Sequence, residues 1–410
     1  MGNGIKPVKV GLIGSGAISY TYLNTLTSGF AAVDVVGCSD LIPERSKARA
    51  DLFGIRQMTT EEILADPEIE IVVNTTQLWN HNKVTKMILE AGKHAYSEKA
   101  MGHDYEGAKA NYELAKQKGL MVGSAPDCYM GSAWQTARKL VDDGYIGIPI
   151  VCYSQCMRGY GSHERGGKLP PWFTPDPMMG AHGTTVTYDM GGYYINVLIN
   201  MFGPVKRVSG YSKVFTGNRL FSNTSNPKYG EKIPAEGGEN VMLGALEFES
   251  GVYGTLVLCS EGFNPEVPRV DIYGTEGHLS LPDPNYFGGW GYDVVLAQRK
   301  GSGKECFKMP FTHGFSDTDP SEPAKSGNRE PCHNSWRGVA VVDMAYALRR
   351  GRKPRSGADL ALHTVEIIDA IDKSNVDNQV YTMNTRPDRP AALLPGRYGA
   401  VGVMESALDT

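Results

Sequence analysis

Short apolar runs alternate with amphipathic stretches over the first third of the chain. Apolar runs of strand length bounded by turn residues predict β-strands, and longer stretches with apolar residues every three or four positions predict helices. The predicted strands are Val8–Ile13, Val33–Ser39, Ile69–Asn74, His94–Ser97 and Leu120–Gly123, and predicted helices between them include Pro43–Phe53, Asn82–Ala91 and Tyr105–Lys118. This alternation predicts a parallel, doubly wound sheet with right-handed crossovers.

From about Asp127 the pattern changes, and strands dominate. Glu249-Ser250-Gly251-Val252 is a hairpin turn signal between two apolar runs. The predicted strands are Ile148–Met157, Val205–Val214, Asn240–Glu249, Tyr253–Ser260, Arg269–Tyr273, His278–Leu281 and Asp293–Gln298, and the predicted helices are Ala133–Asp143, Asn334–Arg349 and Leu360–Lys373. We therefore predict two domains, residues 1–126 and 127–410, the second an α+β domain with a large, mostly antiparallel sheet. Residues 216–238 and 314–331 are predicted long loops or partner-contact arms.

The first strand leads into a glycine-rich turn, Gly14-Ser15-Gly16-Ala17-Ile18-Ser19, which is followed by a helical stretch. Glycine at these places allows a tight turn and lets a pyrophosphate approach the amides at a helix N-terminus. Ser19 stands where a third glycine completes the dinucleotide fingerprint. The order of strand, turn and helix favours an α/β Rossmann domain, with cofactor contacts at Gly14, Gly16, Ala17 and Ile18.

Asp40 ends the next strand, where a carboxylate accepts hydrogen bonds from ribose hydroxyls. Its negative charge repels a 2′-phosphate, so NAD is the predicted cofactor and NADP the less favoured one. Arg45 keeps NADP open, because a cation close by suits a phosphate. The structural alternative for Asp40 is a helix N-cap.

Composition and charge narrow the function class. The chain has 410 residues with 41 Lys and Arg against 45 Asp and Glu, a net charge of −4, which argues against nucleic acid or an anionic membrane as a partner. Its seven cysteines include no CxxC pair, so a zinc ribbon or thioredoxin-like motif is not predicted. No apolar stretch approaches the roughly 20 residues of a membrane span, and no signal-peptide pattern opens the chain. We expect a cytoplasmic protein.

Three sequence blocks carry a resemblance to a known family. Leu89-Glu90-Ala91-Gly92-Lys93-His94 followed by Tyr96-Ser97-Glu98-Lys99-Ala100 resembles the AGKHV-x-x-EKP motif of the glucose–fructose oxidoreductase/inositol dehydrogenase/MocA (Gfo/Idh/MocA) oxidoreductases, with Ala100 for Pro. Thr76 to His81 resembles the family's TPNxxH stretch, and Asp189 to Asn196 its DxGxHxxD helix in the variant with Tyr193 for His. Ala125-Pro126-Asp127 is similar to a sugar- and glycoside-acting branch.

The resemblance implies a site for oxidising a secondary alcohol. Lys99, Tyr193 and Asp189 are the candidate catalytic residues: Lys99 polarises the substrate hydroxyl, Tyr193 is the acid/base, and Asp189, four residues before Tyr193, shares its helix face. We expect burial and the nicotinamide charge to lower the pKa of Lys99, and Lys99 to lower that of Tyr193. Further cofactor contacts are predicted at Thr76, Gln77, Trp79, His81, Glu98 and Lys99.

Substrate contacts are predicted at Lys99, Asp189 and Tyr193, together with Trp172 and His182 in the loop before the tyrosine helix. Trp172 could equally pack in a core or an interface, and His81 could contact the cofactor or the start of its helix. Tyr193 and Tyr194 could be core residues with satisfied hydroxyls. His163, Asp176, His182 and Asp189 have no spacing typical of a metal site, so no metal is expected.

The resemblance implies an NAD-dependent oxidoreductase that oxidises a ring hydroxyl, C3 being favoured, of a sugar, cyclitol or glycoside. The cofactor could remain bound and be recycled by a second sugar. A redox-elimination glycosidase is the alternative, and a non-catalytic regulator that senses sugar or NAD is a third reading. The family resemblance also implies a homo-oligomer, a dimer or tetramer formed through the exposed sheet face.

Overall fold

A computed structural model describes residues 5–157, 186–214, 229–231, 240–260, 262, 270–289, 293–301, 303–317 and 335–410. The predicted substrate residues Trp172 and His182 lie outside these ranges, as do His163, Asp176 and most of the two predicted loops.

The amino-terminal part is a parallel sheet flanked by helices. Its strands are β1 Val8–Ile13, β2 Val33–Ser39, β3 Arg56–Gln57, β4 Ile69–Asn74, β5 His94–Ser97 and β6 Val122–Ser124, and its helices are α1 Ala17–Leu26, α2 Pro43–Phe53, α3 Thr60–Ala65, α4 His81–Glu90 and α5 Tyr105–Lys118. Within the described residues the strand order is β3-β2-β1-β4-β5-β6, and every pairing is parallel. The predicted doubly wound Rossmann sheet is confirmed.

The second part is built on a larger, mixed sheet. Its strands are β7 Pro149–Met157, β8 Val205–Lys213, β9 Val241–Phe248, β10 Tyr253–Cys259, β11 Val270–Gly274, β12 Gly277–Leu281, β13 Val294–Lys300, β14 Gly303–Met309 and β15 Tyr381–Thr382, and its helices are α6 Ser132–Asp142, α7 Val186–Phe202, α8 Val339–Arg350, α9 Ala358–Asp377 and α10 Val401–Glu405. In the described part of the chain the order is β14-β13-β12-β11-β7-β10-β9-β8-β15. Only β7 and β10 pair in parallel there, so the predicted mostly antiparallel sheet is confirmed.

The helices of the second part connect the two sheets. α7 and α9 pack on the inner face of the larger sheet, against β8, β9 and β10, while α8 and α9 also contact α1, α5 and β6. Leu362 and Val365 of α9 share a buried apolar cluster with Ala108 and Ala115 of α5. The predicted boundary at residues 126 and 127 stays a prediction. The packing nevertheless shows why α7 can present side chains to the edge of the parallel sheet.

Candidate active site

The predicted cofactor residues follow the carboxyl ends of neighbouring parallel strands. Gly14 to Ile18 follow β1, Asp40 follows β2, Thr76 to His81 follow β4, and Glu98 and Lys99 follow β5. Because β2, β1, β4 and β5 are adjacent and parallel, these segments meet at a single edge of the sheet. Open α/β sheets bind their ligands at this edge.

The two glycines of the turn have different structural reasons. Gly14 has φ +100°, and a Cβ there would lie 2.8 Å from the backbone of Thr75, so the turn itself requires glycine. A Cβ on Gly16 would meet no heavy atom within 4 Å. Gly16 precedes α1, whose N-terminus has no side-chain cap in the described structure. The first-turn amides of α1 and the open space beside Gly16 therefore fit the pyrophosphate of NAD.

Ser19, which replaces the third glycine, is part of a buried network. Its Oγ donates to the carbonyl oxygen of Gly16 at 2.6 Å and accepts a hydrogen bond from Nε of Arg49 at 3.1 Å. Arg49 also donates to the Gly16 carbonyl at 3.2 Å, and its guanidinium lies 5.5 Å from the ring centroid of Tyr20. The departure from the glycine fingerprint thus ties the turn to α2.

Asp40 accepts hydrogen bonds from two backbone amides, Ser15 N at 2.7 Å and Ile42 N at 2.9 Å. These bonds fix the carboxylate beside the glycine turn while leaving it partly exposed. Arg45 is also partly exposed, one turn into α2. The ribose contact of Asp40 stays a prediction.

His81 lies beneath the loop that follows β4. Its Nδ1 is 2.7 Å from the carbonyl oxygen of Ala100 and its Nε2 is 3.0 Å from that of Thr76. Burial lowers the pKa of His81, so the imidazole is neutral near pH 7. The neutral imidazole has a single N–H, so it donates a hydrogen bond to one of these two carbonyl oxygens and only lies close to the other. The cofactor contact predicted for His81 stays a prediction. Gln77 is exposed and Trp79 half-buried at the same edge.

Glu98 is held below the surface of the site. Tyr22 of α1 donates its hydroxyl to Glu98 Oε1 at 2.9 Å, and the backbone amide of Lys99 donates to Glu98 Oε2 at 3.0 Å. The Glu98 side chain is 5% exposed. It consequently fixes the backbone from which Lys99 projects.

The three predicted catalytic residues come together in the structure. Nζ of Lys99 donates to Oδ1 of Asp189 and lies 5.7 Å from the centre of the Tyr193 ring. Asp189 and Tyr193 are one turn apart on α7, so both face the loop after β5. The Lys99 and Asp189 side chains are 19% and 25% exposed, whereas Tyr193 is 3% exposed. A cation, a carboxylate and a phenol thus share one partly open site.

In the protein alone, burial lowers the pKa of Lys99 and the Lys99 charge lowers the pKa of Tyr193, as expected from the sequence, but the net shift of each pKa is upward. Burial by itself lowers the pKa of Lys99, but the charge of Asp189 and its hydrogen bond, together with the effects of Tyr193 and Glu98, outweigh burial and raise it. For Tyr193, burial raises the pKa to about 12, and the opposing effects of Arg337 and Lys99 are smaller. Sequence reasoning included the Lys99 charge, but it underestimated the effect of Asp189 on the pKa of Lys99 and the effect of burial on the pKa of Tyr193. At neutral pH Lys99 is therefore charged and Tyr193 carries its proton.

Arg337 is a site residue that the sequence analysis missed. Its Nη1 donates to the hydroxyl oxygen of Tyr193, and its Nη2 donates to the carbonyl oxygen and Oδ1 of Asn285, at 2.8 and 2.6 Å. The sequence places Arg337 inside a predicted helix from Asn334, but α8 begins at Val339. The available signal was Gly338 directly after Arg337, because Gly338 has φ +96° and ends the preceding turn.

Asp127 holds that turn from the end of β6. Its Oδ2 accepts hydrogen bonds from Gly338 N at 2.8 Å and Ala340 N at 3.1 Å, at the N-terminus of α8. Burial raises the pKa of Asp127 to about 6, against the lowering effect of these amides and of Arg337. Asp127 thereby links the Ala125-Pro126-Asp127 segment of the sequence to the position of Arg337.

Two family models match most of the chain. The model for the NAD-binding Rossmann fold of the Gfo/Idh/MocA oxidoreductase family matches residues 8–125, and the model for the family's C-terminal domain matches residues 134–280. The chain belongs to the Gfo/Idh/MocA oxidoreductase family. The resemblance seen in the sequence motifs is confirmed.

Family members with assigned activities resemble parts of the chain. The inositol 2-dehydrogenase/D-chiro-inositol 3-dehydrogenase of Lactiplantibacillus plantarum is 30% identical over 35% of this chain and 42% of its own length. The scyllo-inositol 2-dehydrogenase (NAD(+)) of Bacillus subtilis is 24% identical over 67% of this chain and 73% of its own. The chain spans about half the length of the first curated relatives it matches.

Solved structures of other proteins share the fold over more than nine tenths of this chain. Levoglucosan dehydrogenase in complex with NADH has a TM-score of 0.72 and 19% identity, covering 93% of this chain and 100% of its own. An oxidoreductase from Agrobacterium radiobacter, in complex with NAD+, L-tartaric acid and magnesium, has a TM-score of 0.69 and 17% identity, covering 92% of this chain and 98% of its own. At these identities the likeness establishes the fold.

Two further observations apply to the described ranges of this family member. No group of three or more His, Cys, Asp or Glu side chains in them could hold a metal ion. Every helix in those ranges is too short or too polar to traverse a lipid bilayer.

Proposed function

We propose that this Gfo/Idh/MocA protein is an NAD-dependent dehydrogenase that oxidises a ring hydroxyl of a sugar, cyclitol or glycoside. The contact of Lys99 with Asp189 beside Tyr193, at the carboxyl edge of the parallel sheet, carries the proposal. The inositol dehydrogenases among its relatives support a carbohydrate substrate. Bound NAD supplies a carbon that accepts a hydride from the substrate.

The residues of the chain divide the remaining work. Lys99, charged and fixed by Asp189, donates to the substrate oxygen and orients it. Tyr193 exchanges a proton with that oxygen: the phenol donates it when a ketone is reduced, and the phenolate accepts it when an alcohol is oxidised. The partly open face of the Lys99 and Asp189 side chains, 19% and 25% exposed, leaves room for the substrate to reach them.

We propose NAD rather than NADP as the cofactor, because Asp40 keeps a negative charge where a 2′-phosphate would lie. Replacing Asp40 with Ala should lower the preference for NAD over NADP, measured as the ratio of the two kcat/KM values. Asp34→Ala, an exposed carboxylate on the same strand β2, is the control. An unchanged ratio in Asp40→Ala contradicts this part of the proposal.

We further propose that C3 of the ring is oxidised and that the cofactor is retained between turnovers. These two features rest on the resemblance to the sugar- and glycoside-acting branch. NMR of the product identifies the oxidised carbon. Desalting the purified protein and releasing its nucleotide by denaturation tests retention, and protein that emerges without nucleotide contradicts it.

The decisive experiment mixes the protein and NAD with free sugars, inositols and glycosides while the absorbance of reduced nicotinamide is followed. A rise with one class identifies the substrate, and Lys99→Ala and Tyr193→Phe should each lower kcat/KM by about 10²–10⁴-fold. Lys86→Ala, on the exposed side of α4, is the matched lysine control. Full activity in both variants contradicts the proposed roles, and released aglycone without NADH indicates the redox-elimination glycosidase.

We also propose a homo-oligomer formed through the outer face of the larger sheet. Register pairs Tyr211 with Leu243, Tyr153 with Thr255, and Tyr273 with Val151, so these side chains share the face that α7 and α9 leave uncovered. The large apolar side chains exposed on this face are Tyr153, Tyr211, Leu243, Tyr253 and Tyr273. Monomers rarely expose so many large apolar side chains on one face, and the same face of a second copy is the occupant that covers it best.

A further inference from the structure

Arg337 is a second cation beside Tyr193, and it comes from a different segment of the chain than Lys99. It lies in the turn before α8, and its guanidinium carbon is 5.1 Å from the centre of the Tyr193 ring while Nη1 donates to the phenol oxygen. No carboxylate in the described ranges forms an ion pair with Arg337. Its cation is thus directed at the phenol rather than at an acidic partner.

We propose that Arg337 is the positioning residue for the acid/base Tyr193. Its N–H occupies one lone pair of the phenol oxygen, so the remaining lone pair and the hydroxyl proton are directed to the substrate oxygen. The inference rests on the proposed function of Tyr193. During oxidation the substrate hydroxyl proton passes to the Tyr193 oxygen in its phenolate form, and Arg337 keeps all its protons, since guanidinium is charged at any working pH.

The charges around Tyr193 explain why Arg337, more than Lys99, sets its behaviour. Lys99 and Glu98 reach the phenol from the loop after β5, Cys128 from the segment after β6, and Arg337 from the turn before α8. Lys99 is already bonded to Asp189 of α7, which offsets its charge. Arg337 forms no ion pair in the described ranges, although the charge of Glu98 also acts on it, and it lowers the pKa of Tyr193 more than Lys99 does. It is therefore the main stabiliser of a phenolate at residue 193.

Two separate elements hold Arg337 in place. Asn285, in the segment after β12, accepts both hydrogen bonds from Nη2 of Arg337, at its carbonyl oxygen and at Oδ1. The backbone N–H of Asn285 in turn donates to Asp283 Oδ1 at 3.1 Å. Asp127 fixes the backbone on the other side through Gly338 and Ala340. A surface arginine needs no such support, and a pre-positioned one loses little freedom when the substrate binds.

The first test measures Tyr193 without turnover. Protein labelled with 3-fluorotyrosine is titrated by ¹⁹F NMR, and the resonance absent from Tyr193→Phe is assigned to Tyr193. Arg337→Gln should raise the pKa of that phenol by about one unit or more, because an opposite charge in contact typically shifts a pKa by that amount. Arg337→Lys should restore part of the shift, and Arg207→Gln, on an exposed arginine of β8, should change nothing. If the pKa of Tyr193 is the same in Arg337→Gln as in the unaltered protein, the inference is overturned.

The second test separates kcat from KM with the substrate found above. Arg337→Gln should lower kcat by about a hundredfold with little change in KM, since the lost hydrogen bond acts on the reacting proton. Asn285→Ala keeps the charge of Arg337 but removes a side-chain acceptor that fixes its position, so it should lower kcat by a smaller factor. This variant also tests the inference if Arg337→Gln does not fold. A raised KM at unchanged kcat means that Arg337 binds substrate instead, and it overturns the inference. Failure of the proposed function appears separately, as absence of turnover in the unaltered protein with the NMR shift intact.

Discussion

The phenol of Tyr193 is the residue whose protonation decides the direction of the proposed reaction. Burial raises its pKa to about 12, so the phenolate that accepts a proton is scarce at neutral pH. We expect kcat/KM for oxidation to rise steadily from pH 7 to about pH 10, because the phenolate fraction increases about tenfold per pH unit. Reduction, which uses the phenol, should stay nearly constant over the same range.

Initial rates in both directions, in buffers of constant ionic strength, check this expectation. In Tyr193→Phe, kcat/KM for oxidation should be lower and should no longer rise with pH. An oxidation profile that reaches a plateau near pH 7 would show that another group is the base.

At the same scale, sequence reasoning reached part of the site. Lys99, Asp189 and Tyr193 were predicted as a group because motif residues mark the end of a strand and one face of a helix. Arg337 carries no motif, and its contact with Tyr193 joins segments 144 residues apart in the chain. Such a contact depends on the packing of α8 on the parallel sheet, which no local pattern encodes.

At the scale of elements, the glycine turn allows a matched test of cofactor binding. Gly16→Ala should leave thermal stability unchanged, because the new Cβ meets no atom, and should weaken NAD binding where the pyrophosphate approaches. Gly14→Ala should instead destabilise the fold by at least about 1–2 kcal/mol, because it combines positive φ with a backbone contact at 2.8 Å. Calorimetric titration with NAD and thermal melts measure the two effects. If Gly16→Ala binds NAD as tightly as the unaltered protein, the pyrophosphate does not contact this turn.

Asp127 makes the start of α8 sensitive to pH. Its folded pKa of about 6 lies above the ordinary 3.8, so the folded state holds the proton more tightly and stability falls as pH rises through this range. Asp127→Asn keeps an acceptor oxygen for both amides and removes the ionisation. The free energy of unfolding of Asp127→Asn, relative to that of the unaltered protein, should therefore increase by up to about 3 kcal/mol as the pH rises from 4 to 7. Urea unfolding at several pH values checks this, and a difference that does not vary with pH contradicts it.

Element prediction succeeded where hydrophobic pattern and period agree. β1, β2, β4, β5, α2 and α5 have the predicted bounds. β14 was missed because Gly303–Met309 is mostly polar and exposed and pairs at the sheet edge through its backbone. α3 was missed although Thr59 and Glu62 form a capping box, a signal that the sequence does contain.

At the scale of the whole molecule, the uncovered sheet face should decide the oligomeric state. Replacing Tyr211 and Leu243 with Asp should dissociate the oligomer without unfolding the chain, because these side chains are 68% and 44% exposed and pair across β8 and β9. Sedimentation velocity measures the mass, and circular dichroism the fold. Tyr145→Asp, exposed but in the turn after α6, is the control. A monomeric unaltered protein contradicts the proposed interface.

The domain boundary, the cytoplasmic location and the substrate residues Trp172 and His182 stay predictions at this scale. The larger sheet was predicted from its strand runs, but its strand order was not. β7 pairs with β10 in parallel and with β11 in antiparallel fashion, so the centre of the sheet joins segments about 100 residues apart. Which strand takes that central place depends on the packing of α7 and α9.

Because Ser19 is hydrogen-bonded to Arg49, substitutions in the glycine-rich turn depend on the residue at position 49. Ser19→Gly, which introduces the third glycine of the dinucleotide fingerprint, removes the acceptor of a buried arginine N–H and should cost about 1–3 kcal/mol of stability. Changing Arg49 to Met at the same time should recover part of that loss, and a double-mutant cycle on unfolding free energies measures the coupling. Additive effects would show that the two residues are independent. Each residue is therefore a neutral choice only in the presence of the other, and a turn grafted from a relative should bring its own partner from α2.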